Sequence, residues 1–361
     1  MERKEKVAVF GAGNAGKYLA DELLRNGYEI LGLLDNFQEG NYRGINIYRP
    51  HDFFELYGNG IQAIFLAAGA QKTLKLMIDI CLANRCENIY MMHDIAGKCR
   101  LPLFDTNGLI ETRLRKIKFS DRKPTLVYFE VPITDNCNLN CKGCLFASNM
   151  TEGNQHISLM CIKKDARRMA ELFYDVPWIR ILGGEPLMHP DIVEILKFYR
   201  EVFPDSEIDL CTNGLLIPKM EDTFWACLRE ARISIHVSGY KPTLQLEDKI
   251  REILEHNEIV YSFRYSKEEF GKNIDLTGTA NPYEAVRSCR ESSCHFFRYG
   301  KLFKCPFEAL GNKLFEYYDL DIRFDGGYDI YDEKLNWNIV ADNLIHKPVH
   351  ACRYCGKEEK I

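Results

Sequence analysis

The chain has 361 residues, with 47 Lys and Arg against 52 Asp and Glu, a formal net charge of −5. At 46% hydrophobic and 27% charged residues it is of globular composition and long enough for two or three cored domains. A net acidic chain has no general attraction to nucleic acid or to an anionic membrane, and 12% aromatic content excludes a disordered polymer. Met1–Lys6 is short and charged, and no run approaches 18 apolar residues, so neither a signal peptide nor a membrane span is expected. A cytoplasmic protein follows, with no nucleic acid or membrane as partner.

Residues 1–100 alternate between strand and helix patterns. Val7–Phe10 reads as a buried strand and Gly11-Ala-Gly-Asn-Ala-Gly16 as a tight turn. Lys17–Asn26 has helical apolar spacing, Glu29–Leu34 is a second strand, and Ala63–Ala68, Lys72–Arg85 and Asn88–Met92 add strand, helix and strand. This is a small Rossmann-like, doubly wound α/β domain. Gly11, Gly13 and Gly16 follow a strand and open a helix, and Asp35 ends the next strand. Backbone N–H groups at such a helix start can cradle a phosphate, and the acid can accept a ribose hydroxyl, so these four residues are candidate nucleotide ligands.

Residues 101–124 break the rhythm with Pro102, Asn107-Gly108, Pro124 and the basic run Arg113–Lys123, and read as a solvated linker. Residues 125–285 restart it. Strands are expected at Val127–Ile133, Trp178–Leu182, Glu207–Cys211, Ile233–Val237 and Ile259–Phe263. Helices fall near 159–174, 190–202, 221–231 and 244–256. Repeated βα units imply a parallel sheet closed into a complete or partial barrel. Residues 286–361 are rich in Cys, Gly and aromatics, as in a small domain stapled by metal.

Fourteen cysteines in a reducing compartment point to ligation more than to disulfides. Cys81, Cys86, Cys99, Cys161, Cys211 and Cys227 are isolated and read as small buried apolar residues. Cys137, Cys141 and Cys144 form a CxxxCxxC loop directly after the first strand of the second segment. Three thiolates on one loop can hold three irons of a cubane and leave the fourth open, whereas zinc wants four closely grouped ligands.

That loop resembles the signature of the radical S-adenosylmethionine (SAM) superfamily, and three later features fall in that family's order. Gly183-Gly184-Glu185-Pro186, after the next strand, resembles the motif that holds the amino group of S-adenosylmethionine. Asn213, within Thr212-Asn-Gly214, resembles the ribose-contacting region, and Ser238 resembles a polar position facing the cofactor. The resemblance implies a partial (β/α)6 radical SAM barrel that reductively cleaves S-adenosylmethionine to a 5′-deoxyadenosyl radical. An external electron donor such as flavodoxin or ferredoxin is implied with it. This chain departs from the family at Gly143, where a bulky residue usually precedes the third cysteine. Phe146 is the candidate to supply that contact with adenine. His189, in Met188-His-Pro-Asp191, reads as a helix-start residue rather than a base.

Cys289, Cys294, Cys305, Cys352 and Cys355 form a second constellation, which resembles the twitch or SPASM-like auxiliary-cluster domain of some radical SAM enzymes. The resemblance implies one auxiliary 4Fe-4S cluster. The favoured ligands are Cys294, Cys305, Cys352 and Cys355, with Cys289 as the spare; structural zinc is the alternative. Gly32-Leu-Leu-Asp-Asn36, Gly44-Ile-Asn-Ile-Tyr48 and Pro50 resemble the N-terminal domains of sugar acetyltransferases, which implies a nucleotide-linked ligand. The expected function is hydrogen abstraction from a sugar- or cyclitol-like, nucleotide-linked small molecule, leading to dehydrogenation or epimerisation. A peptide-modifying radical SAM enzyme and a nucleotide-binding iron–sulfur redox sensor are the alternatives. A nicotinamide dehydrogenase would leave the clustered cysteines unexplained.

Overall fold

The computed structural model describes residues 5–68, 71–92, 114–141, 143–150, 155–265, 271–289 and 294–360. The chain divides into two compact units, Met1–Lys118 and Phe119–Ile361.

The first unit is built on seven strands: β1 (Lys6–Phe10), β2 (Glu29–Leu34), β3 (Gly40–Tyr42), β4 (Ile45–Tyr48), β5 (Ala63–Leu66), β6 (Ile89–Met92) and β7 (Leu114–Lys116). Their order is β3-β4-β2-β1-β5-β6-β7. The β1–β2, β2–β4, β1–β5 and β5–β6 pairs are parallel, and the two edge strands are antiparallel. Val7 to Phe10 are fully buried, as central strands of a two-sided parallel sheet must be. The chain runs from β1 to β2 on one side and returns to β5 on the other, so the end of β1 is the switch point where open α/β sheets bind ligands. Leu114–Lys116 pairs with β6, so the end of the stretch read as linker belongs to this sheet. The rest of that stretch up to residue 113, and Cys99, lie outside the described residues.

The second unit contains β8 (Tyr128–Pro132), β9 (Trp178–Leu182), β10 (Glu207–Thr212), β11 (Ile233–Gly239), β12 (Tyr261–Tyr265), β13 (Gly271–Ile274), β14 (Phe296–Arg298), β15 (Lys301–Phe303), β16 (Tyr328–Asp329) and β17 (Cys355–Lys360). Eight of them form one sheet in the order β12-β11-β10-β9-β8-β14-β15-β16, and β13 pairs with β17. β8 to β12 are parallel and joined through helices Leu159–Leu172, Ile192–Val202, Asp222–Glu230 and Glu247–His256. These are the expected βα units of a partial barrel. The outward positions Phe129, Val131, Ile179, Ile181, Leu210 and Ile235 pack with those helices into the main core. The alternate positions form the other face and include Tyr128, Glu130, Arg180, Asp209 and His236.

The sixth parallel strand is β14, which lies beside β8 rather than beyond β12. The cysteine-rich segment read as a domain of its own from residue 286 therefore extends the barrel sheet. Among the described residues no helix is long and apolar enough to cross a membrane.

Phe129 is fully buried and packs edge-on against Phe203 and against Phe297 of β14. Phe129→Ala should cost about 3–5 kcal/mol, the usual range for an aromatic cavity. In urea unfolding followed by tryptophan fluorescence, the midpoint of the second unit should fall accordingly.

Candidate active site

Because β8 to β11 are parallel and in register, their carboxyl ends lie along one edge. The loops leaving that edge are Thr134–Cys144, Gly183–Met188, Asn213–Ile217 and Ser238–Tyr240. The four sequence-identified motifs are therefore brought together by topology.

Cys137, Cys141 and Cys144 share the first loop. The Leu139 N–H points at Cys137 Sγ at 3.5 Å, and the Cys144 N–H donates to the Cys141 carbonyl at 3.2 Å. Burial raises the Cys137 thiol above its ordinary pKa, with Glu185, Cys144 and Cys141 adding to it, and Cys141 is raised by burial and by Cys144. The three thiols thus sense one another. Gly143 has φ of +76°, a conformation that disfavours a side chain, which accounts for the missing bulky residue. Phe146 packs with Leu182, Phe296 and Leu310.

The Gly183–Pro186 turn is bound to this loop by backbone. The Gly184 N–H donates to the Thr134 carbonyl at 2.8 Å and the Glu185 N–H to the Asn136 carbonyl at 2.7 Å. A Cβ on Gly184 would lie 2.3 Å from the Asn136 oxygen and 2.6 Å from that of Asp135, and one on Gly183 2.5 Å from that of Thr134. The missing side chains of the glycine pair let the Thr134–Asn136 backbone approach closely.

Glu185 is fully buried. Its Oε1 accepts from Thr212 Oγ1 at 2.7 Å and the Leu187 N–H at 3.0 Å, and Oε2 from the Asn213 N–H at 2.8 Å. Burial pushes its pKa up to about 7 against the lowering by those three donors. Asn213 Nδ2 reaches Asn138 Oδ1 at 2.7 Å and lies 3.9 Å from Cys137 Sγ. Glu185 and Asn213 therefore tie the ends of β9 and β10 to the cysteine loop that leaves β8. His189 is buried; its Nδ1 accepts from the Asp191 N–H and its Nε2 meets the Ile157 carbonyl at 2.9 Å, as the helix-start reading expects.

Two groups here were not singled out from sequence. Tyr240 is raised to about 12 by burial and by the three cysteines at 137–144, while Ser238 lowers it through a hydrogen bond. Its only sequence signal was its place just past β11. Along the inner face lies a polar layer. Trp178 Nε1 donates to Asp209 Oδ2 at 2.7 Å, His236 Nε2 lies 3.3 Å from the same oxygen, and Ser262 Oγ meets His236 Nδ1 at 2.9 Å. Tyr128 donates to Glu130 at 2.5 Å, and Arg180 lies 3.4 Å from Asp209. Charged residues at alternate positions of otherwise apolar strands were the available signal.

In the C-terminal segment, Cys289, Cys305, Cys352 and Cys355 line one cavity together with Lys304. Cys289 caps helix Pro282–Ser288, Cys305 precedes helix Pro306–Tyr317, and Cys352 and Cys355 flank the end of a 3-10 turn. Burial raises Cys305, Cys352 and Cys355, and each is raised further by other members of the set. Among the described residues no three His, Cys, Asp or Glu side chains converge on one point as a mononuclear site requires. Cys294, favoured from sequence over Cys289, does not line this cavity. Phe296 pairs with Glu130, and that register carries Cys294 towards Tyr128, whose pKa it raises.

In the first unit, Gly11 has φ of +114° and a Cβ there would lie 2.5 Å from the Ala67 oxygen; one on Gly16 would strike the Gly11 oxygen at 1.6 Å. Gly13 alone faces open space. Asp35 accepts the Ala12 N–H at 3.0 Å on Oδ2 and the Phe37 and Gln38 N–H groups on Oδ1.

Residues 131–297 match the family model described as the Radical SAM superfamily. Among curated relatives, a GTP 3′,8-cyclase from Alkaliphilus oremlandii is 30% identical over 130 residues, 35% of this chain and 38% of that one. A GTP 3′,8-cyclase from Limosilactobacillus fermentum is 27% identical over 233 residues, 60% of this chain and 67% of that one. The chain thus spans between 38% and 67% of the length of these relatives. Among solved structures, BtrN in complex with AdoMet and 2-DOIA aligns over 65% of this chain and 94% of its own, at 15% identity and a TM-score of 0.40.

The Gly184 contacts generate a test. Gly184→Ala must push the Asp135–Asn136 backbone away, an overpacking that costs roughly 1–3 kcal/mol. Its iron content after anaerobic reconstitution should fall towards that of a Cys137→Ala chain, while far-UV circular dichroism stays unchanged. With its three-thiol loop, its Gly-Gly-Glu-Pro turn and the family match across the same residues, the segment 131–297 is a radical S-adenosylmethionine domain, a kind that carries a 4Fe-4S cluster and S-adenosylmethionine.

Proposed function

We propose that this protein reductively cleaves S-adenosylmethionine and abstracts hydrogen from a sugar- or cyclitol-like, nucleotide-linked substrate, with dehydrogenation as the net reaction. The observation that carries the cleavage is the bonding of the Cys137–Cys144 loop to Gly184, Glu185 and Asn213 at one sheet edge. The donor set fits a cubane, since three thiols share one loop and no fourth cysteine lies on it.

In this reading Cys137, Cys141 and Cys144 hold the catalytic cluster, and Gly183, Gly184, Glu185, Pro186, Asn213 and Ser238 surround the cofactor. When bound, these groups supply an electron and a 5′-deoxyadenosyl radical able to take hydrogen from an unreactive C–H bond. The chain's own share is placement. Glu185 Oε2 takes one N–H from Asn213 and keeps acceptor capacity for an ammonium, while Tyr240 and Asn213 flank the cysteines. The inner face presents Glu130, Arg180, Asp209 and His236, which suits a polyhydroxylated substrate better than an apolar one.

Cys289, Cys305, Cys352 and Cys355 are the proposed ligands of a single auxiliary cluster. A redox group there favours dehydrogenation over epimerisation, because it can take the electron left on the substrate. A reduced flavodoxin or ferredoxin would supply the first electron. The nucleotide part of the reading rests on Gly13, the one glycine of its turn whose missing Cβ faces open space. The relatives named GTP 3′,8-cyclase also point, by that name, to a guanosine nucleotide as their substrate.

Anaerobically reconstituted protein should carry roughly eight irons, the content of two four-iron clusters. With dithionite and S-adenosylmethionine it should release 5′-deoxyadenosine and methionine, and Cys137→Ala should reduce both to background. Intact protein that forms no 5′-deoxyadenosine would refute the reading. For the first unit, a nucleotide sugar at about 100 times its Kd adds about 2.7 kcal/mol of stability, which a thermal-shift screen resolves. The shift should be larger than with NAD and should be lost in Gly13→Val.

A further inference from the structure

Among the described residues that line the cavity of the four C-terminal thiols, one is cationic. Lys304 directly precedes Cys305, and its side chain lines the same cavity as Cys289, Cys305, Cys352 and Cys355. It is only 1% exposed. Its Nζ donates to the Leu344 carbonyl at 2.5 Å and to the Ile345 carbonyl at 3.3 Å. Both carbonyls belong to the last turn of helix Trp337–His346, the negative end of that helix's dipole. The backbone is fixed as well, since the Lys304 N–H donates to Glu308 Oε2 at 2.8 Å.

A buried lysine is costly unless its charge is used or paired. Two carbonyls satisfy part of this ammonium, and Cys352, Cys305, Cys289 and the carboxyl of Glu308 act electrostatically on its charge. Reducing a four-thiolate cluster adds one negative charge to a site that is already anionic. A cation held nearby at low dielectric stabilises the reduced form more than the oxidised one, so the reduction potential rises.

We propose that Lys304 is a positioning residue for electron transfer: its ammonium, fixed by the carboxyl end of helix Trp337–His346, raises the reduction potential of the auxiliary cluster. The cluster is thereby made a better acceptor. In the dehydrogenation, the substrate carbon loses hydrogen to the 5′-deoxyadenosyl radical and its hydroxyl loses a proton to a base. The remaining electron reduces the oxidised auxiliary cluster, leaving a carbonyl. The inference rests on the reading of the four thiols as cluster ligands.

The test uses the full chain with Cys137, Cys141 and Cys144 replaced by Ala, so that only the second cluster is titrated. Iron content and an EPR-monitored redox titration are read for this parent and for Lys304→Met and Lys304→Arg. Lys304→Met should shift the reduction equilibrium at least tenfold towards the oxidised form, a fall of about 59 mV for a one-electron couple. Lys304→Arg should keep the parental potential. A Lys304→Met chain with full iron and an unchanged potential overturns the inference while leaving the ligand reading intact. Loss of iron in Lys304→Met but not in Lys304→Arg supports the charge in a stronger form; loss in both overturns it, because the fit of lysine and not its charge would be at work. A parent without iron overturns the ligand reading and the inference together.

Discussion

Asp135, two residues before Cys137, is 2% exposed and carries two cations. Arg298 of β14 donates to both of its oxygens, at 2.6 Å and 2.5 Å, and Lys313 of helix Pro306–Tyr317 lies 2.5 Å from Oδ2. Burial alone would raise the carboxyl's pKa, but the hydrogen bonds and charges of Arg298 and Lys313 hold it below the usual value. Removing one member of such a buried pair typically costs 3–5 kcal/mol, because a desolvated charge is left behind. The ion pair joins the catalytic loop to a strand more than 160 residues later, and the cysteines that follow Asp135 inherit their position from it.

The same ion pair explains why β14 sits next to β8. A sixth parallel strand added by simple succession would have followed β12. β14 instead lines up with Glu130 and brings Arg298 opposite the Asp135 loop, while the Glu130 N–H donates to the His295 carbonyl at 2.7 Å. Asp165 of helix Leu159–Leu172 adds a second link, accepting from the Gly300 N–H and from Tyr331. The cysteine-rich segment is therefore tied to the barrel sheet, while Cys352 and Cys355 also lie beside a small cluster of its own around Phe315, Phe324, Ala351 and Tyr354.

The sequence shows what repeats locally. Strands β8 to β12 and their helices follow apolar period, and the CxxxCxxC and Gly-Gly-Glu-Pro runs mark the sheet edge. Three things stay hidden because they depend on distant registers. That Cys289 and not Cys294 lines the cavity of Cys305, Cys352 and Cys355 goes with the Phe296–Glu130 pairing, which no local pattern encodes. The role of Gly184 depends on the Asn136 carbonyl passing within 2.3 Å of where its Cβ would be. The Asp209–His236–Ser262 contact unites three strands whose polar residues look unremarkable one at a time.

The β14–β15 hairpin places a mechanical constraint on the fold between the Asp135 loop and Cys305. From Arg298, which grips the catalytic loop, the chain runs through the β14–β15 hairpin straight into Lys304 and Cys305. That path is short, paired by hydrogen bonds and buried at Phe296, Phe297 and Leu302. A closely packed hairpin of this kind transmits displacement poorly as bending and well as rigid translation. The hairpin, paired along both strands, thus links Arg298 directly to Cys305, while Cys289, Cys352 and Cys355 are held by other elements. A change that loosens Arg298 from Asp135 therefore acts first on the Cys137–Cys144 loop and, through the hairpin, on Cys305.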